Sequence, residues 1–122
     1  MAPHDDLTAL LTNADLFLCP SIYEPLGIVN LEAMGCETAV LASRVGGIPE
    51  VVADGETGRL VNFDANNSSK FESDFTNQIE ELMSNPSLLT QMGKAGRIRA
   101  EKHFGWDAVA KQTINLYNSL LK

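Results

Sequence analysis

Apolar residues along this chain fall into two kinds of pattern, and their alternation predicts the fold. In "HDDLTALLTNA", Leu7, Leu10 and Leu11 recur at helical spacing, with an aspartate available to cap the start. "DLFLCPS" is instead a compact apolar run stopped by Pro20, with the length and flanks of a buried strand. Helical spacing returns in "LGIVNLEAMGC" through Ile28, Leu31 and Met34, predicting a helix at about 27–36. "TAVLAS" reads as a second buried strand. The chain then turns through Gly46 and Gly47, and Pro49 stands where a first helical turn tolerates it. After an Asp54-Gly55 turn, "RLVNF" predicts a third strand and "DANNSSKFESD" a polar surface loop. Three helices are expected beyond it, at about 72–84, 86–102 and 106–121.

Short apolar strands alternating with helices indicate a parallel sheet covered on both faces, because parallel neighbours need crossover connections. The expected class is therefore α/β, a three-layer Rossmann-like parallel sheet with flanking helices. Three strands make a small sheet, and the chain opens directly on a helix. Residues 1–122 are accordingly expected to be a single, partial domain, truncated from a longer protein whose further strands lie upstream.

Composition narrows the partners. With 44% hydrophobic and 20% charged residues the chain is of ordinary globular type, and its formal charge of −7 would repel a phosphate backbone. Nucleic acid is not an expected partner. Cys19 and Cys36 show no Cys-x-x-Cys or His spacing, and His4 and His103 stand far apart, so reduced thiols and no metal are expected. No stretch approaches the roughly 18 apolar residues of a membrane span, and "MAPHDDL" lacks the regions of a signal peptide. No membrane association and a cytoplasmic setting are the corresponding expectations.

The stretch most open to chemistry is "EPLGIVNLE", where Glu24 and Glu32 flank a glycine and an apolar run. Ligands of open parallel sheets bind beyond the carboxyl ends of strands, where helix N-termini present unpaired N–H groups. The connection from Pro20-Ser21 to Gly27-Ile28 lies in such a place, and Gly27 lets an anion approach the backbone. Were residues 24–32 fully helical, the carboxylates would stand about 12 Å apart along the axis. Hydrolytic carboxylate pairs sit at roughly 5 to 9.5 Å. The spacing suits one extended ligand, a sugar, a diphosphate and a ribose in line, with a carboxylate at each end. The plain alternative is one loop charge and one helix-surface charge.

"ADLFLCPSIYEPLGIVNLEAMGC" and "AVLASRVGGIPEVVADGETGRLV" together resemble the C-terminal, nucleotide-sugar-binding domain of retaining glycosyltransferases of the two-domain GT-B architecture. The likeness continues through "MGKAGRIRAEKHFGWDAVAKQTINLYNSLL". "EAMGCETAVLAS", where many relatives carry glycine and proline at the positions of Glu37 and Ala39, looks most like glycogen synthases of actinobacterial type.

The resemblance implies that Glu24 accepts hydrogen bonds from hydroxyls of the transferred glucose. Pro25, Leu26, Gly27 and Ile28 would lie against sugar and diphosphate, and Glu32 would hold the ribose. The donor would be ADP-glucose or UDP-glucose, transferred with retention and without a metal or other cofactor. The acceptor, a glucan or a sugar phosphate, would bind an N-terminal domain outside this chain. The family's diphosphate-neutralising Arg and Lys also lie upstream of the matching region, and Arg44 is not in their position. The isolated chain is therefore expected to be inactive, with no catalytic residue assigned. Related transferases acting with sucrose, trehalose or phosphatidylinositol chemistry share the same pattern. A non-catalytic module binding nucleotides or proteins is the reading from another class.

Trp106, Val109, Leu116 and Leu120 share one face of the last expected helix. In GT-B enzymes this helix tends to cross onto the other domain. Either it packs on its own domain here, or its apolar face lacks a partner and the chain self-associates.

Overall fold

The computed structural model describes residues 4–22 and 28–105, together with Ile114, Asn118 and Leu120. Strands β1 (Leu16–Cys19), β2 (Ala39–Ser43) and β3 (Gly58–Val61) form a parallel sheet in the order β1-β2-β3. Leu16 pairs with Ala39 and Val40 with Gly58, so all three strands point the same way. Helix α1 (His4–Asn13) precedes the sheet, α2 (Ile28–Gly35) joins β1 to β2, and the short α3 (Ile48–Val51) joins β2 to β3. Helices α4 (Ser68–Met83) and α5 (Pro86–Phe104) follow.

Every residue of β2 is buried, which explains why "AVLAS" reads as a continuous apolar run rather than an alternation. Its alternate side chains still part to opposite faces, as a strand's period of two requires. Val40 and Ala42 join Leu11, Ala33, Met34, Ile48 and Val51 in the layer built by α1, α2 and α3. Ala39 and Leu41 join Phe71, Phe75 and Leu82 of α4. Helix α5 serves both layers: Leu89 and Met92 belong to the second, while Ala100 and Phe104 pack against the first. The molecule is thus the expected α/β, Rossmann-like arrangement of helices on both faces of a parallel sheet.

Several boundaries differ from expectation for local reasons. Helix α4 starts at Ser68, inside the stretch expected to be loop, because Asn67 caps it: its Oδ1 accepts the Lys70 N–H at 3.2 Å. Strand β3 ends at Val61, and Phe63 beyond it packs edge-on against Phe71, with centroids 5.3 Å apart. In α2 the buried residues are Asn30, Ala33 and Met34, whereas Ile28, which shares the helical spacing of Leu31 and Met34, is 57% exposed. Leu31 and Val29 are half-buried, so α2 is apolar on most of its surface, and Ala33 and Met34 are the apolar residues it buries completely.

Of the expected last helix, Ile114, Asn118 and Leu120 are helical and exposed, while Trp106, Val109 and Leu116 lie outside the described residues. Cys19 is buried and Cys36 half-buried, and among the described residues neither forms a disulfide. No described helix is long and apolar enough to cross a membrane.

Candidate functional site at the carboxyl edge of the sheet

Because β1 and β2 are parallel, α2 must run back against them, which sets its first turn at the carboxyl ends of the strands. Ile28 opens this helix, and Glu32 follows one turn later, half-buried and about 6 Å further along the axis. These two of the six expected site residues are brought together on α2. Glu24, Pro25, Leu26 and Gly27 lie outside the described residues. The 12 Å axial separation of the two glutamates depends on residues 24–27, which lie outside the described residues; α2 is described from Ile28.

The chain leaving β1 is tied to the end of β2 by a residue that the sequence pattern did not single out. The Ser43 hydroxyl donates to the Ser21 carbonyl and lies 3.4 Å from the Cys19 carbonyl. The Cys19 thiol and the Ser21 hydroxyl stand 3.4 Å apart. A lone hydroxyl closing an otherwise apolar strand, at the carboxyl end, is the signal that would have found it. These contacts fix where the β1–α2 connection starts, two residues beyond the strand.

Asn30, also in the first turns of α2, is fully buried, and neither its Nδ2 nor its Oδ1 has a hydrogen-bond partner among the described residues. A buried polar group left in this state costs about 1–3 kcal/mol.

Arg44 follows β2 but turns away to the side. Its Nη2 meets Asp54 Oδ2 at 2.6 Å and its Nε donates to Asn62 Oδ1 at 2.9 Å, while Asp54 Oδ1 accepts the Leu60 N–H at 3.0 Å. Its charge is spent locally. Gly46 takes a left-handed φ of 53°, the turn that the Gly46-Gly47 pair predicts, and feeds α3. Among the described residues no group of three or more His, Cys, Asp and Glu is placed to hold a metal.

The described arrangement is a helix start at the carboxyl edge of the sheet with a carboxylate one turn in. Unpaired N–H groups and the helix dipole favour negative charge there, and a carboxylate accepts hydrogen bonds from hydroxyls. Residues 2–99 match the family model described as glycosyl transferases group 1. The chain belongs to this family.

Known group 1 transferases and GT-B structures extend the likeness over nearly the whole chain. It is 48% identical over 120 residues to the alpha-maltose-1-phosphate synthase of Mycolicibacterium smegmatis, covering 98% of this chain and 31% of that protein. The sucrose-phosphate synthase of Thermosynechococcus elongatus superposes with a TM-score of 0.79 at 38% identity, over 99% of this chain and 29% of that one. Anabaena HepE, solved in complex with UDP-glucose, gives a TM-score of 0.71 at 25% identity, over 93% of this chain and 30% of that one. The chain spans less than a third of the length of each of these relatives.

Proposed function

We propose that this chain is the donor-binding portion of a retaining, glycogen synthase-like glucosyltransferase that uses ADP-glucose or UDP-glucose. The observation that carries the reading is the Glu-x7-Glu stretch entering α2, with Ile28 at the helix start and Glu32 one turn in, at the carboxyl edge of a parallel sheet. Glu24 accepts hydrogen bonds from the glucose hydroxyls, and Glu32 does so from the ribose. Pro25 and Leu26 line the sugar side. Main-chain N–H groups at Gly27 and Ile28 meet the diphosphate.

When the glycosidic bond to the donor breaks, negative charge grows on the leaving diphosphate. A helix N-terminus carries roughly half a positive charge and needs no reorganisation to stabilise that oxygen. Arg44, paired with Asp54, does not add to it. The remaining cationic groups lie upstream of the region that this chain matches, and the acceptor site belongs to the N-terminal domain of a two-domain GT-B enzyme. The open outer edge of β1 supports such a continuation. Leu18 is 42% exposed there, and Leu16, Leu18, Ile79 and Met83 line a cavity of about 310 Å³. Parallel strands are normally covered on both sides.

The acceptor is a glucan or a sugar phosphate. The likeness to an alpha-maltose-1-phosphate synthase and to a sucrose-phosphate synthase favours the sugar phosphate. The test is transfer from labelled ADP-glucose and UDP-glucose to glycogen and to glucose 1-phosphate, by the full polypeptide and by residues 1–122 alone. Transfer by the full polypeptide only is expected. Turnover by residues 1–122 alone would refute the division of labour.

A further inference from the structure

The face of α5 turned toward the α3–β3 connection gathers positive charge outside the candidate donor site. In a chain of formal charge −7, Lys94, Arg97, Arg99 and Lys102 all stand on α5, and His103 follows them. Ile98, Arg99, Lys102 and His103 share one helical face, and with Glu56 and Thr57 they line a cavity of about 280 Å³. The facing wall is fixed by its own main chain. Gly55 takes a left-handed φ of 85°, its N–H donates to the Gly58 carbonyl, and the Glu56 and Thr57 N–H groups donate to the Ala53 carbonyl. Because β3 begins at Gly58, Glu56 and Thr57 lie at the amino edge of the sheet, opposite the opening of α2.

Arg99 is built into this wall. Its Nε donates to the Val51 carbonyl at 2.8 Å and its Nη2 to the Glu50 carbonyl at 3.0 Å, and its Cζ stands 5.7 Å from the centre of the Phe104 ring. These partners are neutral, so they hold the guanidinium without cancelling its charge and leave further N–H donors of its planar fork open. Arg97 pairs with Glu101 at 2.7 Å, whereas Arg99, Lys102 and His103 have no carboxylate partner among the described residues. The buried Thr57 hydroxyl accepts the Ala53 N–H and has no acceptor for its own proton among the described residues. The helix dipole favours Lys102 and His103 in a last turn. It does not account for a fixed Arg99 and a buried hydroxyl donor on the same cavity. Small-molecule sites run to roughly 300–1,000 Å³, so about 280 Å³ suits a small phosphate ester and is cramped for a nucleotide sugar. We infer that this cavity binds a phosphorylated monosaccharide. Arg99, Lys102, His103 and the Thr57 hydroxyl donate to the phosphate oxygens, Glu56 accepts from a sugar hydroxyl, and Ile98 lies against the ring.

The experiment compares the wild-type full polypeptide with Lys102→Ala and with the double variant Lys102→Ala, His103→Ala, both at exposed helical positions where alanine keeps the helix. Binding of glucose 1-phosphate, glucose 6-phosphate, inorganic phosphate and glucose is measured by calorimetry, and hydrogen exchange is followed over residues 53–57 and 95–103. At least one sugar phosphate should bind and slow exchange in both segments, with inorganic phosphate about tenfold weaker and glucose without effect. Lys102→Ala should weaken the sugar phosphate about tenfold, as expected for a charge-assisted hydrogen bond, and the double variant further, with donor KM within twofold of the wild type. Inorganic phosphate bound as tightly as both sugar phosphates would overturn the monosaccharide assignment. Sugar phosphate binding that both variants leave unchanged, without slowed exchange over these two segments, would overturn the site and place that ligand at the acceptor site instead. Absence of binding by all four ligands would overturn it as well.

Discussion

Gly93 of α5 lies against the main chain of Glu37, so close that a Cβ built on it would fall 2.1 Å from the Glu37 carbonyl oxygen. The obstacle is backbone, which cannot rotate aside. Together with Gly96, whose Cβ would meet the Met34 side chain at 3.4 Å, it lets α5 ride directly over the α2–β2 connection. The late segment "MGKAGR" thereby fixes the end of the helix whose beginning forms the candidate site.

Gly93→Ala should therefore destabilise the fold by about 1–3 kcal/mol, the usual cost of overpacking, or somewhat more because the neighbour is backbone. Gly35→Ala is the control, since nothing lies within 4 Å of a Cβ there. It should be neutral or stabilising by about 0.5–1 kcal/mol, as replacing a helical glycine by alanine usually is. Calorimetric melting of the two variants separates the cases, and equal behaviour would contradict the contact.

Glu37 itself has a φ of 60°, the left-handed region that L residues with a Cβ avoid. Glycine there would remove that strain at an entropic cost. Glu37→Gly is expected to raise stability by about 0.5–1 kcal/mol. A lowered melting temperature would show that the Glu37 side chain contributes more than its backbone costs.

Arg44 is the cation nearest in sequence to the carboxyl end of β2, and its partners decide its role. The Arg44–Asp54 pair is solvent-exposed, at 42% and 43% for the two side chains, so Arg44→Ala should cost at most about 1 kcal/mol of stability. Donor KM should stay within twofold. A tenfold rise would make Arg44 the diphosphate cation after all.

The alternation of strands and helices was legible because burial dictates it: β2 is apolar throughout since both its faces are covered. The boundaries were less so. In "DANNSSKFESD" Asn66, Asn67, Ser68 and Ser69 are all competent caps, and polarity alone reads as loop; only the Phe71, Phe75 and Leu82 stripe betrays the helix. The buried face of α2 was not legible from spacing, for a related reason. Ile28, Leu31 and Met34 form a valid helical stripe, but a helix apolar all round presents several, and the tertiary packing chose the one through Asn30. Nothing in spacing marks Asn30, because a polar residue inside an apolar helix reads as surface. That Glu32 stands on α2, one turn from its described start, was legible from the helical pattern expected at about 27–36.

Equilibrium binding of UDP and UDP-glucose to the full polypeptide and to its Glu24→Gln and Glu32→Gln variants, repeated with ADP and ADP-glucose, tests the clamp most directly. Glu32→Gln should weaken nucleotide and nucleotide sugar alike, each about tenfold, as expected for a charge-assisted hydrogen bond to the ribose. Glu24→Gln should weaken only the sugar-bearing ligand. Unchanged binding in both variants, with the wild type binding, would contradict a clamp formed by these two carboxylates.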